Sequence, residues 1–204
     1  LVFFATRSPG PGLDPDGMAY VGSATSLVRQ GTLRVPTGDW WRADSTSALS
    51  FWPPGYPAAI AVPVSAGTSA IQGGRIINVL AAAVTALTVT LLVGAAVGTV
   101  GGVVAALVLF ITPAVFDVHF SILSEPLFIS CLVLTLAAMV YARDRLIVLG
   151  TLSAMTVMVR YVGACAPAAG HVRVSDLERG GRPLRALSYF FRNGLFGTCG
   201  PVGG

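Results

Sequence analysis

Charged side chains are scarce in this sequence: they make up 11% of its 204 residues, whereas hydrophobic side chains make up 54%. Ordinary soluble domains carry roughly 25% charged residues. The mean hydropathy of the chain is +0.76. A water-soluble fold of this size could not bury so much apolar surface, so the composition predicts a membrane protein.

Lysine is absent, and the 13 basic residues are all arginines, which gives a formal net charge of +4. The arginines are scattered and form no basic stripe, so the chain lacks the footprint of a nucleic-acid-binding protein. Cysteine is also rare, and Cys131, Cys165 and Cys199 show neither metal-ligand spacing nor a disulfide framework. P-loop, G-x-S-x-G and HExxH motifs are missing, which removes the simplest phosphate, hydrolase and zinc-protease interpretations.

Long apolar runs take the place of charge. No charged residue occurs between Arg75 and Asp117, and one helix of that length would be about twice the roughly 30 Å of the hydrocarbon core. Two spans are therefore expected there. Gly94, Gly98 and Gly102 mark either the turn between them or a close helix–helix contact. The predicted spans are 76–96, 100–116, 126–141 and 146–163.

Membrane orientation follows from the short loop that contains Arg143 and Arg145, because short basic loops stay in the cytoplasm. This places residues 7–75 on the extracytoplasmic side of a multi-pass protein in the cell membrane. Residues 1–6 read as the end of a truncated first transmembrane helix. The basic, glycine-rich tail 164–204 would then also be extracytoplasmic, against the charge rule, so we expect a span that does not fully cross or a non-native continuation.

The external segment has internal structure of its own. Apolar residues recur at helical spacing over 17–30, and Gly31 closes that helix. Residues 35–50 are predicted as a loop. The stretch 51–57 contains three aromatic residues and three prolines, and the prolines block a regular helix. The following apolar stretch is too short to span, so this region is expected to lie at the membrane interface.

Two acids, Asp14 and Asp16, precede the helix over 17–30. A carboxylate at the outer mouth of a membrane protein serves as a general base or binds a cation. The alternative is structural, because Asp16 is also well placed to cap the helix N-terminus.

A second polar cluster contains Asp117, His119 and Glu125, at one predicted outer turn. Ser124 before Glu125 is typical of a helix N-cap, and a metal site would need a third ligand that the spacing does not supply. Arg160 lies near the outer end of the last predicted span. It either binds a phosphate-bearing substrate or extends its side chain to the interface.

Together these motifs resemble the amino-terminal part of the polytopic glycosyltransferases of the C superfamily. The closest group is the bacterial relatives of dolichyl-phosphate-mannose protein mannosyltransferases and of the lipid A aminoarabinose transferase. The resemblance covers roughly residues 1–168. It rests on Asp16, Gly17, Tyr20, Ala24 and Leu27 with a displaced Gly31, on "WPPGYP" at 52–57, on "SEPLF" at 124–128, and on "RYVG" at 160–163.

The resemblance implies an all-α polytopic helical bundle with a long external first loop that carries short interfacial helices. It implies transfer of a sugar from a polyprenyl-phosphate donor in the lipid bilayer to an acceptor on the outer face. Asp16 would be the catalytic base and Asp14 a possible second acid, with substrate contacts from Glu125, Arg160, Tyr20 and His119. A divalent cation stays open, because D-x-D aspartates bind one in some relatives only.

The chain also departs from this family, whose members usually have eight or more spans. It offers four spans and a stub, so we expect a fragment that is inactive alone. The competing expectation is a non-catalytic polytopic membrane protein, such as part of a transporter or an assembly subunit, in which the acids only cap helices.

Overall fold

The computed structural model describes residues 2, 6, 10–36, 46–142 and 144–161. This part of the chain is mainly helical, as the resemblance implies. Its elements are α1 (Pro15–Gln30), β1 (Arg34–Pro36), β2 (Thr46–Ala48), α2 (Gly55–Ser65), α3 (Ala70–Val97), α4 (Thr99–Ile111), α5 (Pro113–Phe120), α6 (Glu125–Tyr141) and α7 (Leu146–Val159). Three predicted features lie outside the described residues: the helix end at 1–6 except for residues 2 and 6, the basic residue Arg143, and the tail 164–204.

Helix α1 confirms the helix predicted over 17–30 and begins two residues earlier. Gly31 ends it in a left-handed conformation with φ of 68°, which glycine adopts without a steric penalty. The expectation that Asp16 caps the helix is wrong. Asp14 occupies the N-cap position without a side-chain capping bond, and Asp16 lies inside the first turn.

The predicted loop 35–50 contains a short antiparallel hairpin at its two ends. Strand β1 pairs with β2, and Val35 lies opposite Ser47. The Ser23 hydroxyl of α1 donates to the Arg34 carbonyl oxygen at 3.0 Å. A Cβ atom on Gly22 would lie 2.6 Å from the ring of Pro36, so the hairpin packs closely on α1.

The prolines of the 51–57 stretch do not block a helix, contrary to expectation. Pro54 is the N-cap of α2, and Pro57 lies in the first turn, where a backbone N–H would have no acceptor in any case. Pro63 lies inside the helix close to its C-terminal end. The stretch therefore starts a helix, and the short apolar segment after it belongs to the same helix.

Helix α3 is the one helix in the described part of the chain that is long and apolar enough by itself to cross a membrane. Its 28 residues begin at a capping box in which Ser69 and Gln72 exchange side-chain and backbone bonds. Such a helix is about 42 Å long, more than the roughly 30 Å hydrocarbon core. Only 28% of its most apolar window is buried, which is unlike the core helix of a soluble protein.

The second predicted span, 100–116, is not one straight helix. Helices α4 and α5 meet at an angle of 69°. Thr112 at the junction is extended, with ψ of 121°, because the following Pro113 disfavours the helical conformation of the residue before it.

The last two predicted spans form helices of 17 and 14 residues, shorter than the roughly 20 residues of a typical span. Helix α6 matches the predicted span 126–141 closely. Helix α7 ends at Val159, so the predicted span 146–163 is too long at its end. Arg160 is extended, with ψ of 133°.

Both interpretations of the glycine series hold. Gly98 separates α3 from α4 with φ of 90°. A Cβ on Gly102 would lie 2.2 Å from the Thr90 carbonyl oxygen and 2.9 Å from the Gly94 nitrogen. Gly98 therefore makes the turn, and Gly94 and Gly102 allow the two helices to approach closely.

The buried core joins α1 and α2 to the segment 121–124, which connects α5 to α6. Tyr20, Ala24, Tyr56, Ile60 and Ile122 form one buried cluster. These residues come from α1, α2 and the connecting segment, which we call the site turn. The core therefore fixes α1 against the start of α6.

Candidate functional site

An ion pair joins the start of α6 to the residue that follows α7. Arg160 Nη1 lies 2.5 Å from Glu125 Oε1, and the two side chains are 39% and 29% exposed, respectively. A partly exposed pair of this kind contributes about 0–1 kcal/mol to stability. Its stabilising effect alone is therefore a weak reason for placing these two charges together.

Ser124 occupies the predicted N-cap position of α6 but makes no side-chain capping bond. Its hydroxyl instead accepts a hydrogen bond from the Tyr20 hydroxyl of α1, at 3.2 Å. Ser124 and Tyr20 are both buried, so this contact links α1 to the start of α6 in the interior.

Among the described residues, three charged side chains act electrostatically on the Tyr20 hydroxyl and change its pKa. Burial is the largest cause of its raised pKa, and the carboxylates of Asp16 and Glu125 raise the pKa further. The hydrogen bond to Ser124 and the positive charge of Arg160 lower it. The structure thus brings together residues from α1, α6 and the end of α7. We call this set the site cluster: Asp16, Tyr20, Ser124, Glu125 and Arg160.

The two aspartates differ in their relation to the site cluster. Both side chains are exposed, and Asp16 lies in the first turn of α1, where the helix dipole favours a negative charge. The charge of Asp16 influences Tyr20, whereas Asp14 is not among the charges that shift the pKa of Tyr20 in the described part of the chain. Of the two aspartates, Asp16 is therefore the one whose charge acts on the site cluster.

His119 lies away from these contacts, although it was predicted to bind substrate. Its side chain is 1% exposed, its Nδ1 donates to the Val115 carbonyl oxygen at 2.7 Å, and its ring packs edge-on against Phe110. Asp117 on the same helix is exposed. Among the residues that the structure describes, no three His, Cys, Asp or Glu side chains are placed so that they could hold a metal ion together.

Sequence reasoning missed two residues that build this region. It considered Ser124 only as a cap, and it did not single out Asn78, which accepts from the Tyr56 hydroxyl at 2.8 Å. Asn78 is 2% exposed. An amide in an otherwise apolar helix was the available signal, because a buried polar group needs partners.

Chemically, the site cluster offers an exposed carboxylate, a tyrosine hydroxyl and an arginine that already binds one anionic group. A carboxylate accepts a proton, and a guanidinium binds a phosphate through charge-assisted hydrogen bonds. Comparison of the chain with family models, with curated proteins and with solved structures finds no match. The functional interpretation therefore depends on the chemistry of this cluster.

Alkaline pH is expected to destabilise the fold through Tyr20 and Tyr56. Burial is the main cause of the raised pKa of both hydroxyls above the ordinary value of 10.0. The unfolded chain therefore ionises them first, so their contribution to stability is complete below pH 10 and is lost as pH rises through the folded-state pKa values. We expect the unfolding temperature of the detergent-solubilised protein to fall steeply above about pH 10.

Tyr56→Phe is expected to unfold at a lower temperature near neutral pH, because it loses the bond to Asn78, but to show a shallower alkaline decrease. Tyr161→Phe, which changes a tyrosine with 57% exposure, is the matched control and should keep the steep decrease. The same alkaline slope in Tyr56→Phe and in the parent protein would contradict this assignment.

Proposed function

We propose that the chain is part of a multi-pass membrane glycosyltransferase that moves a sugar from a polyprenyl-phosphate donor to an acceptor on the extracytoplasmic face. The observation that carries this proposal is the convergence of Asp16, Glu125 and Arg160 around the Tyr20 hydroxyl. These residues are distant in sequence, and the resemblance described above selects the same positions. A carboxylate base and a phosphate-binding arginine in one cluster are what such a transfer requires.

In the proposed reaction, the oxygen of an acceptor hydroxyl attacks the anomeric carbon of the donor. The bond between that carbon and the phosphate oxygen breaks, and polyprenyl phosphate leaves with the bonding electrons. Asp16 takes the proton of the acceptor, which strengthens an otherwise weak nucleophile. Arg160 stabilises the departing phosphate by charge-assisted hydrogen bonds, with Glu125 orienting its guanidinium before the donor binds.

Tyr20 and His119 have different expected parts in substrate binding. The Tyr20 hydroxyl donates its only proton to Ser124, so its expected part is to accept a hydrogen bond from the substrate beside the carboxylates. A role for His119 would require access to a buried ring. No step is assigned to a divalent cation, because Asp14 and Asp16 lack a third ligand of the usual kinds in the described part of the chain.

The proposed membrane arrangement has α3 as one span and the bent pair α4–α5 as a second. Large apolar side chains on α4 are exposed, which suits a lipid-facing helix better than a water-facing one: Val100, Val103, Val104, Leu107, Val108 and Ile111. Helices α6 and α7 are short, and local thinning of the bilayer would let them cross.

The transfer itself is tested with membranes from cells that express the complete reading frame. They are incubated with a panel of radiolabelled polyprenyl-phosphate hexoses and pentoses and with an envelope extract as the source of acceptor. Transfer of label to the acceptor fraction, absent from membranes without the protein, is the expected result. If no donor in the panel gives protein-dependent transfer or cleavage, the glycosyltransferase proposal is wrong, and the non-catalytic polytopic membrane protein is the interpretation that stands.

Orientation is tested by cysteine labelling after Cys131, Cys165 and Cys199 are replaced by alanine. Ser47→Cys in β2 is expected to react with a membrane-impermeant thiol reagent in intact cells, because its position is exposed and is placed outside. Arg145→Cys is the matched control, expected to react only after the membrane is opened. The reverse pattern would place the site cluster in the cytoplasm and contradict the proposed donor chemistry.

A further inference from the structure

Asn78 places a buried amide near the start of the apolar helix α3. Its side chain is 2% exposed. The Tyr56 hydroxyl donates to Asn78 Oδ1 at 2.8 Å, and Asn78 Nδ2 donates to the Ser121 carbonyl oxygen at 2.6 Å. The amide oxygen and the amide nitrogen of Asn78 are therefore both hydrogen-bonded, and they connect α2 to the site turn through α3.

The site turn has two further attachments. The Gly12 nitrogen donates to the Phe120 carbonyl oxygen, and the Ile122 nitrogen donates to the Gly12 carbonyl oxygen, both at 2.8 Å. Ile122 is fully buried in the core. A Cβ on Gly17 would lie 2.7 Å from the Ile122 carbonyl oxygen, so α1 packs directly on the turn.

These contacts form a closed circuit. From Asn78 the circuit runs through Ser121 along the chain to Ser124, which accepts from Tyr20. The Tyr20 ring meets the Tyr56 ring edge to face at 5.0 Å, and Tyr56 returns to Asn78. The circuit includes two members of the site cluster, and Glu125 follows Ser124 directly.

We propose that Asn78 is a positioning residue of the site: through the site turn, it fixes Ser124 and Glu125 against Tyr20 and Arg160. Its structural part stands on the contacts above, and its consequence for catalysis rests on the proposed glycosyltransferase function. Other side chains of similar size fail in identifiable ways. Leucine offers neither bond, and an ionised aspartate accepts from Tyr56 but has no proton to donate to Ser121.

The structural part is tested by amide hydrogen exchange of the complete protein in detergent, read from peptides that cover the site turn. Asn78→Leu keeps the branching and the number of heavy atoms of the side chain and removes both bonds. It is expected to accelerate exchange of the site-turn amides by about tenfold or more, because loss of buried hydrogen bonds lowers the free energy of local opening. Thr88→Val, another buried polar-to-apolar change on α3, is the control and should leave the site turn unchanged.

Asn78→Asp supplies a pH-dependent measurement. If Asn78 acted through packing alone, the exchange rate of the site turn in this variant would not depend on pH in the way described below. A buried carboxyl group tends to stay protonated above its usual pH range. When protonated, it accepts from Tyr56 and donates to Ser121, as the native amide does. For this variant, the ratio of its site-turn exchange rate to that of the parent protein at the same pH is expected to fall toward one as the pH is lowered. The same ratio for Asn78→Leu should stay high.

The catalytic consequence is read from transfer kinetics. Misplaced reacting groups are expected to lower kcat by about tenfold or more while the donor KM changes little. Normal site-turn exchange in Asn78→Leu would overturn the proposal, and so would accelerated exchange in Asn78→Leu with an unchanged kcat. If the parent protein transfers no sugar but Asn78→Leu opens the site turn, the proposed function fails and the structural part of the inference stands.

Discussion

Asp16→Asn is expected to lower the rate of sugar transfer by about 10²–10⁴-fold, because the amide cannot take the proton of the acceptor hydroxyl. The side chain is exposed and makes no capping bond, so the variant should fold and reach the membrane in normal amounts. Transfer is measured with the radiolabelled donor at saturating concentration, and the result is normalised to the amount of protein in the membrane.

Asp14→Asn is the matched control for this prediction, since it removes the same charge from an exposed position two residues away. Its rate should stay within about threefold of the parent, because a surface charge at that distance acts mainly through screened electrostatics. If the Asp14 variant loses transfer and the Asp16 variant retains it, the assignment of the base moves to Asp14. If both variants keep the parent rate, neither aspartate is the base.

Arg160→Gln is expected to raise the donor KM by about 10- to 100-fold, the effect of losing a charge-assisted hydrogen bond to a phosphate. The guanidinium already lies against a carboxylate of Glu125, so its position suits an anionic ligand. Arg160→Lys should recover only part of the affinity, because a lysine lacks the bidentate fork of arginine. The KM is obtained from initial rates over a range of donor concentrations.

Arg29→Gln provides the matched control for charge, since Arg29 is an exposed arginine in the last turn of α1. It should leave the donor KM unchanged. An unchanged KM in Arg160→Gln, at normal membrane abundance, would mean that the ion pair with Glu125 serves the fold alone.

Local signals predicted much of the helical framework. The spacing of apolar residues located α1, and Gly31 gave its end, because a left-handed residue after a helix favours glycine. The uncharged run after Arg75 together with Gly98 located the α3–α4 break. These features depend on a few neighbouring residues, so they are readable without knowledge of the tertiary structure.

Other features depended on distant partners and were not predictable in the same way. The strand at 34–36 is stabilised by Thr46, whose hydroxyl accepts from Arg34 Nε at 2.7 Å, and by the face of α1. The bend at Thr112 did have a local cause in Pro113, which the span prediction overlooked because hydropathy alone does not detect it. The early end of α7 at Val159 had no comparable local signal.

The same division applies to the site. The scarcity of charge made Asp16, Glu125 and Arg160 conspicuous in the sequence, and the structure places all three near Tyr20. Ser124 resembles an ordinary N-cap in the sequence, because the Ser-Glu-Pro start of a helix is a local motif. Its hydroxyl instead accepts a hydrogen bond from Tyr20. Asn78 could not be connected to Ser121 from the sequence, since nothing local indicates which carbonyl oxygen a buried amide will meet.

The backbone bridge between Gly12 and Ser121 has a consequence for how the protein is made. It closes a loop that contains α1 to α5, so it cannot form until the segment around 121 has left the ribosome. Closing a loop of this length carries an entropic cost that later contacts must offset. Helix α1 therefore waits, incompletely packed, while α2 to α5 are synthesised, and it docks late in synthesis. A chain arrested before Ser121 should expose α1 to proteases, and one extended past Arg160 should protect it.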